Sequence, residues 1–264
     1  MNILEIILNA LKLIILIDPI LYEIIYLSLK VSLIALILSS FIGIIIGYIL
    51  ALKNFYFKNF FLILINSFMG IPPVVVGLIV YFFIAYGGPL GIFKLLYTPT
   101  AMIMAQMIII FPIVASLSHE IFNQNWLKYK DQIRSLNMPF IGTLKLLIFH
   151  SYFLLITVLL SAFGRAISEV GAVMIVGGNI DHYTRVMTTA ISLETRMGNL
   201  EYAMALGIVL IFLTMIIYSL VYMFNLKKKI KMKVIGIVGL KNSGKTFFAQ
   251  KIISGLTSRE FEVA

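Results

Sequence analysis

Two groups of residues have the types and spacing that could do chemistry. The first is the pair Arg165 and Glu169, which lies inside a strongly apolar run together with Ser168 and Gly171. Ionisable side chains at membrane depth are costly, and where they occur they are candidates for a transport pathway. The second group is GLKNSGKT, which has the G-x-x-x-x-G-K-T pattern of a phosphate-binding P-loop and contributes Gly239, Gly244, Lys245 and Thr246.

The Arg165–Glu169 pair has two interpretations. Residues four apart share one helix face, so the two charges could neutralise each other and hold helices together. Alternatively, Arg165 draws an anion through the membrane and Glu169 sets a gate. A carboxylate in the path of an anion would repel it, which favours Glu169 as a partner that holds helices together over Glu169 as a ligand.

The P-loop has the surroundings that its chemistry requires. MKVIGIVG predicts a buried β-strand before it, FFAQKIISGL a helix after it, and SREFEVA the start of a second strand. In that order the glycines let backbone N–H groups surround phosphates, Lys245 reaches them and Thr246 binds Mg²⁺, as in a GTP site. The sequence ends 18 residues after Thr246, whereas a nucleotide-binding domain needs on the order of 150 residues. We therefore expect a truncated βαβ fragment over residues 231–264.

The composition places both groups in or beside a membrane. Of the 264 residues, 61% are hydrophobic and 12% are charged, and this charged fraction is about half the globular average. The sequence has no cysteine, which excludes thiolate catalysis and cysteine metal sites, and its three histidines are too far apart to favour a histidine site. We expect an all-α polytopic membrane protein that holds no metal.

Five apolar stretches are long enough to cross a bilayer, since a spanning helix needs about 20 residues. They are predicted at 24–52, 59–93, 95–118, 146–176 and 202–226. The second is too long for one simple helix, and Gly70-Ile-Pro-Pro predicts a break in it, which is either a packing kink or part of a pathway. Residues 1–20 carry Glu5 and Lys12 and predict an interfacial helix. If they crossed instead, there would be six spans.

The basic residues predict the orientation. The polar segments 53–58, 119–145 and 227–233 hold eleven Lys and Arg, and the opposite side holds four. By the positive-inside rule these three segments are cytoplasmic, the N-terminus is outside and the C-terminus is inside the cell membrane. The net charge of +10 is then a topology signal and does not indicate nucleic-acid binding. Residues 184–197 predict an external interfacial helix or a contact for a binding protein.

Four stretches resemble the permease subunits of ABC importers, and among these the tungstate and molybdate permeases most closely. They are SLKVSLIALILSSFIGIIIGYILAL, MGIPPVVVGLIVYF, YTPTAMIMAQ and FGRAISEVGAVMIVGGNI. The resemblance implies a permease transmembrane domain over 21–230 that works as a homodimer and is not an enzyme. It also implies an ATP-binding ABC subunit that hydrolyses ATP, an extracytoplasmic substrate-binding protein, an oxyanion substrate such as tungstate or molybdate, and no cofactor in the permease itself.

The resemblance further implies an ATPase-docking loop within 119–145. Such permeases carry a loop of the form E-A-A-x-x-x-G, and the aligned residues here are Asp131, Gln132, Ile133 and Asn137. Only the acidic residue is matched in kind, and Asn137 stands where the family has glycine. The downstream I-x-L-P element is absent.

The tail from Met232 resembles the opening of the molybdopterin-guanine-dinucleotide biosynthesis protein B family, through MKVIGIVGLKNSGKT and FEVA. Two other protein classes therefore stay open beside the importer permease. A membrane-tethered P-loop nucleotide-binding protein would need the rest of its fold. A secondary transporter would need internal repeats and more membrane carboxylates than Glu169, and the sequence offers neither.

Overall fold

The computed structural model describes residues 3–16, 18–227 and 250–251. In this part of the chain nine α-helices follow one another, with a 3₁₀ turn at Gly91–Phe93 and no β-strand. The helices are α1 Ile3–Ile15, α2 Pro19–Leu52, α3 Lys58–Met69, α4 Pro73–Ile84, α5 Pro99–Ser135, α6 Phe140–Ile167, α7 Gly171–Gly177, α8 Met187–Met197 and α9 Leu200–Lys227. The chain divides into two compact units, Met1–Lys228 and Lys229–Ala264. In the second unit only Gln250 and Lys251 are described, and both are helical.

Helices α2, α5 and α6 are long and apolar enough to cross a membrane, as is α9 over Leu200–Met223. The pair α3 and α4 passes the same test together, although the two helices are bent by 105° at the break. This break lies at Gly70-Ile-Pro-Pro, where proline cannot continue the hydrogen-bonding of the preceding helix. The predicted all-α polytopic architecture is confirmed.

The packing of α2 on α5 indicates that α3 and α4 form one broken crossing. The Ser39 hydroxyl donates to the Met107 carbonyl at 3.2 Å, and the Tyr48 and Phe122 ring centroids lie 5.8 Å apart. Because the contacts ascend along both helices, α2 and α5 run parallel. The chain must therefore return across the membrane between them, and α3–α4 is the segment between residues 53 and 98 that is long enough. Five crossings result, so the start of α2 and the end of α9 lie on opposite sides of the membrane.

The N-terminal helix α1 does not add a sixth crossing. Its 13 residues extend about 20 Å, whereas the hydrocarbon core is about 30 Å thick. It packs against α9, where the Asn9 amide donates to the Glu201 carboxylate at 2.8 Å. The Asp18-Pro19 step then starts α2, because the Asp18 carboxylate accepts from the Leu21 N–H at 2.9 Å and proline suits the first helical position.

The polar segment 119–145 is a helical hairpin, and its prediction as a loop was wrong. Helix α5 continues to Ser135 and α6 begins at Phe140, so a short turn joins them. The sequence has no glycine or proline between Pro112 and Pro139. Aromatic and aliphatic residues recur at helical spacing along one face, and this face packs against the end of α2 through Phe122, Trp126, Tyr129 and Ile133. The apolar spacing thus outweighed the polar composition that suggested a loop.

The predicted fourth span, 146–176, is also not one helix. Helix α6 ends at Ile167 and the seven-residue α7 follows after a break at 168–170. The predicted helix at 184–197 is present as α8, and its first residues Met187 to Ala190 are buried within the bundle. The interfacial location predicted for α1 and α8 stays a prediction.

Candidate functional site

Arg165 and Glu169 meet at the break between α6 and α7. Arg165 lies in the last turn of α6, and Glu169 lies two residues beyond its end. Their side chains form an ion pair of 2.7 Å between Nη1 and Oε2. The Glu169 side chain is 3% exposed and that of Arg165 is 37% exposed. The structure therefore brings the two charges together, but at a helix break and not on one continuous helix face.

Side chains from other helices satisfy the backbone groups that the break frees. The Thr188 hydroxyl on α8 donates to the Glu169 carbonyl at 2.7 Å, and the Gln106 amide on α5 donates to the Ala166 carbonyl at 3.2 Å. The Glu169 carboxylate also accepts from the Ala172 N–H at the start of α7, at 3.3 Å. Unpaired backbone groups at membrane depth cost several kcal/mol each, so these bonds allow the break and tie four helices to it.

Ser168 and Gly171 serve the same break in different ways. The Ser168 hydroxyl donates to the Gly164 carbonyl at 2.9 Å, which satisfies a carbonyl in the last turn of α6. Gly171 begins α7 directly against α4, where a Cβ on it would lie 2.5 Å from Val74 Cγ2. Both residues thus close the break by short contacts, and the structure gives neither of them a charge or a free donor that would mark a ligand site.

The two broken helices pack on each other at their breaks. Val74 is in the first turn of α4, just after Gly70-Ile-Pro-Pro, and it faces Gly171 in the first turn of α7. One turn further along, a Cβ on Gly77 would lie 2.7 Å from Ala172 Cα. Helices can approach this closely only where both surfaces are small. We call this contact the α4–α7 seam. Sequence reasoning found the break at Gly70-Ile-Pro-Pro but not the break at residues 168–170, so it did not bring the two together.

The helical hairpin separates the predicted docking residues into two kinds. Ile133 is 4% exposed and belongs to the hydrophobic cluster at the end of α2. Asp131, Gln132 and Asn137 are exposed. Asn137 has a φ of +45°, a left-handed conformation that asparagine tolerates better than most residues other than glycine. Asparagine at the expected glycine position can therefore form the turn that joins α5 and α6.

At the opposite end of the bundle, a polar turn between α7 and α8 faces the start of α2. The His182 ring lies 2.8 Å from the Glu23 carboxylate, and Arg185 pairs with Asp181 at 2.8 Å. The hydrogen bond and the negative charge of Glu23 raise the pKa of the exposed His182 above its usual 6.5. Sequence reasoning missed this pair, because its partners are 159 residues apart.

The nucleotide-binding residues Gly239, Gly244, Lys245 and Thr246 lie outside the described residues. Within the described ranges, no group of three or more His, Asp or Glu side chains could hold a metal ion. The described part therefore offers two candidate functional regions, namely the break with its ion pair and the helical hairpin.

Comparison with known proteins identifies the kind of molecule that carries these two regions. Residues 43–231, more than half of the chain, match the model of the binding-protein-dependent transport system inner membrane component. The chain belongs to this family. The match runs from the middle of α2 past the end of α9 and so includes both breaks and the hairpin. The P-loop motif lies beyond it.

Three curated relatives of this permease family are similar over long stretches. The tungstate uptake system permease protein TupB of Peptoclostridium acidaminophilum is 38% identical over 213 residues, which is 81% of this chain and 93% of the relative. A probable anion ABC transporter permease protein of Haloferax volcanii is 39% identical over 193 residues, which is 71% of this chain and 83% of the relative. TupB of Campylobacter jejuni is 40% identical over 158 residues, 60% of this chain and 66% of the relative. The chain is thus a multi-pass permease and a transport subunit.

Proposed function

We propose that this permease is the membrane-spanning subunit of an ATP-driven ABC importer that brings tungstate into the cytoplasm. The observation that carries the proposal is its similarity to tungstate uptake permeases from two organisms, one of which matches over nearly its whole length. In this proposal the chain works as a homodimer with an ATP-binding subunit and an extracytoplasmic binding protein. The permease part hydrolyses no ATP itself and holds no cofactor.

The helical hairpin supports a docking role for residues 119–145. Because α5 is one helix from Pro99 to Ser135, with Pro112 inside it, a displacement of the hairpin would be carried along α5. Gln106 on this helix is bonded to Ala166 at the break, about 40 Å from Ile133 along the helix axis. ATP-driven closure of two docked subunits would therefore reach the break directly and rock the spans between two states.

The break supports a role close to the transport route. Arg165 keeps part of its side chain exposed, and a guanidinium has five N–H donors, of which the bond to Glu169 engages the Nη1 group. These donors suit a tetrahedral oxyanion better than an ammonium would. Glu169 is buried and repels anions, so its role is to hold Arg165 and the break in place. We propose that Arg165 contacts the oxyanion and that Ser168, Glu169 and Gly171 position it.

Transport measured in reconstituted vesicles tests the proposed function. Vesicles that contain the permease, its ATPase and its binding protein should accumulate tungstate only when ATP is supplied. Vesicles without the ATPase are the control. Uptake without the ATPase would exclude an ABC importer, and uptake of sulfate in place of tungstate or molybdate would show that the transporter class is right and the substrate wrong.

We further propose that residues 231–264 contain a phosphate-binding P-loop. The support is the G-x-x-x-x-G-K-T pattern in the sequence. Binding of Mg²⁺–GTP to the full chain in detergent, measured by equilibrium dialysis, should be lost on Lys245→Ala. An absence of binding to the unaltered chain would show that this segment has no nucleotide site.

A further inference from the structure

A cavity of about 530 Å³ opens where the helical hairpin packs against the end of α2. Its lining includes two cations, Lys53 and Arg134, and no carboxylate. Apolar, aromatic and neutral polar groups complete the wall, namely Leu52, Trp126, Ile133, Asn137, Met138, Phe140 and Thr143. A cavity with this lining attracts a negative charge and does not supply one of its own.

Neither cation is neutralised by a carboxylate within the described residues, where the ion pairs involve other side chains. Instead, Lys53 Nζ lies 5.7 Å from the centre of the Phe140 ring, and the Arg134 guanidinium lies 5.9 Å from the Trp126 ring. Cation–π contacts hold the two charges at the cavity but leave their N–H donors free for an anion.

The position of the cavity at the end of a spanning helix indicates that it lies near the membrane surface. Lys53 directly follows an uncharged run from residue 31 to 52 and immediately follows the end of the spanning helix α2. Exposed aromatic side chains surround this level, with Tyr56 being 94% exposed and Phe55, Phe57 and Phe140 also exposed. Aromatic residues are enriched where a membrane meets water, so this rim favours lipid over a soluble partner.

We propose that the cavity binds the headgroup of an anionic phospholipid. Basic pockets beside spanning helices at a membrane surface are suited to anionic headgroups. Here Lys53 and Arg134 would bind the phosphate, and the aromatic rim would contact the glycerol and the upper acyl chains. The proposal requires that α2 crosses the membrane, and it is independent of the transported substrate. The cavity adjoins the proposed ATPase-docking region, because Ile133 and Asn137 also line it.

Fluorescence of Trp126 can test this proposal directly, because it is the one tryptophan of the chain and it lines the cavity. The full chain is placed in phosphatidylcholine nanodiscs and titrated with lipid brominated on the acyl chains near the headgroup, which quenches a tryptophan on contact. We expect half-maximal quenching at a roughly thirtyfold lower mole fraction of brominated phosphatidylglycerol than of brominated phosphatidylcholine, given two basic residues near one anionic headgroup.

Substitutions then assign the preference to the cavity. Lys53→Gln and Arg134→Gln should each lower it about fivefold, the ratio equivalent to about 1 kcal/mol per basic residue near an anionic surface. Arg134→Lys should keep most of it. Lys145→Gln is the matched control, since Lys145 is an exposed cation on α6 outside the cavity lining, and it should leave the preference unchanged.

Three results would overturn the proposal. Equal quenching by the two lipids would show that the cavity has no preference for an anionic headgroup. Displacement of the brominated lipid by soluble glycerol phosphate would assign the site to a free phosphate compound. Loss of ATPase co-purification on Lys53→Gln and Arg134→Gln, with equal quenching by both lipids, would make the cavity a protein contact.

Discussion

At the scale of single residues, the stability of the break depends on which member of the ion pair is removed. Replacing Arg165 with methionine leaves the buried Glu169 carboxylate without its counter-charge, which costs roughly 3 kcal/mol or more. Glu169→Gln keeps the shape and an acceptor for the Ala172 N–H, and it leaves an arginine that is partly exposed. We expect it to cost about 1 kcal/mol. Thermal unfolding of the purified chain in detergent measures both.

The double variant is the control for this prediction. If the cost of Arg165→Met comes from an uncompensated buried charge, then Arg165→Met with Glu169→Gln should be more stable than Arg165→Met alone. Strictly additive losses would contradict the assignment of Glu169 as a partner that holds the break together.

The His182–Glu23 pair predicts a pH-dependent contact at the opposite end of the bundle. The pKa of His182 is raised above 6.5. The pair therefore contributes fully to stability below pH 6.5, and this contribution is lost as the pH rises through the raised pKa. The difference in unfolding temperature between the unaltered chain and His182→Gln should therefore be larger at about pH 6 than at about pH 8.5. Glu23→Gln should remove the same pH-dependent part of the unfolding temperature. A difference that does not change with pH would refute the contact.

Sequence reasoning identified Arg165 and Glu169 because charge in an apolar run is a local signal. It missed Gln106 and Thr188, which bond to the carbonyls freed by the break. Glutamine and threonine are unremarkable in a membrane helix, and their partners are 60 and 19 residues away. No pattern in the sequence encodes contacts of that kind, so only the folded chain reveals them.

At the scale of elements, the α4–α7 seam should not tolerate a larger side chain. A methyl group on Gly77 would lie 2.7 Å from Ala172 Cα, and forcing the helices apart costs typically 1–3 kcal/mol, so we expect about 2 kcal/mol for Gly77→Ala. Gly207→Ala on α9 is the matched control, because a Cβ there meets nothing within 4 Å. Unfolding temperatures of the two variants in detergent should differ clearly, and equal values would show that the seam can adjust.

The structure of the helical hairpin predicts that one set of its residues determines the stability of the chain and another set determines docking of the ATPase. Ile133→Ala removes a buried side chain from the cluster at the end of α2 and should cost about 2–4 kcal/mol. Asp131→Ala and Asn137→Gly change exposed positions and should leave the unfolding temperature nearly unchanged. Of these, Asp131→Ala should weaken retention of the ATPase on the immobilised permease. Equal retention by Asp131→Ala and by the unaltered chain would exclude Asp131 from docking.

Elements were predicted well where one local property decides them. Apolar length located the spans, and Gly70-Ile-Pro-Pro located the break between α3 and α4. Composition did not predict the hairpin, because the residues of α5 change from apolar to polar at about His119 while the helix continues to Ser135. It also failed at residues 168–170, because apolar residues continue on both sides of Ser168 and Glu169 and the break depends on hydrogen bonds from α5 and α8.

At the scale of the whole molecule, the parallel α2 and α5 indicate five crossings, and the basic residues predict which side is cytoplasmic. The helical hairpin and the end of α9 lie on one side, and the His182–Glu23 pair lies on the other. This arrangement gives the proposed ATPase and the proposed binding protein separate faces. The account therefore depends on the side of the membrane to which the hairpin is exposed.

Labelling of single cysteines determines that side most directly, since the chain has no cysteine of its own. Gln132→Cys reports on the hairpin and Asp181→Cys on the opposite end, and both positions are exposed. In right-side-out vesicles a membrane-impermeant maleimide should label Asp181→Cys at once and Gln132→Cys only after the vesicles are opened. Labelling of Gln132→Cys in sealed vesicles would place the hairpin outside the cell and contradict the account of an importer driven by a cytoplasmic ATPase.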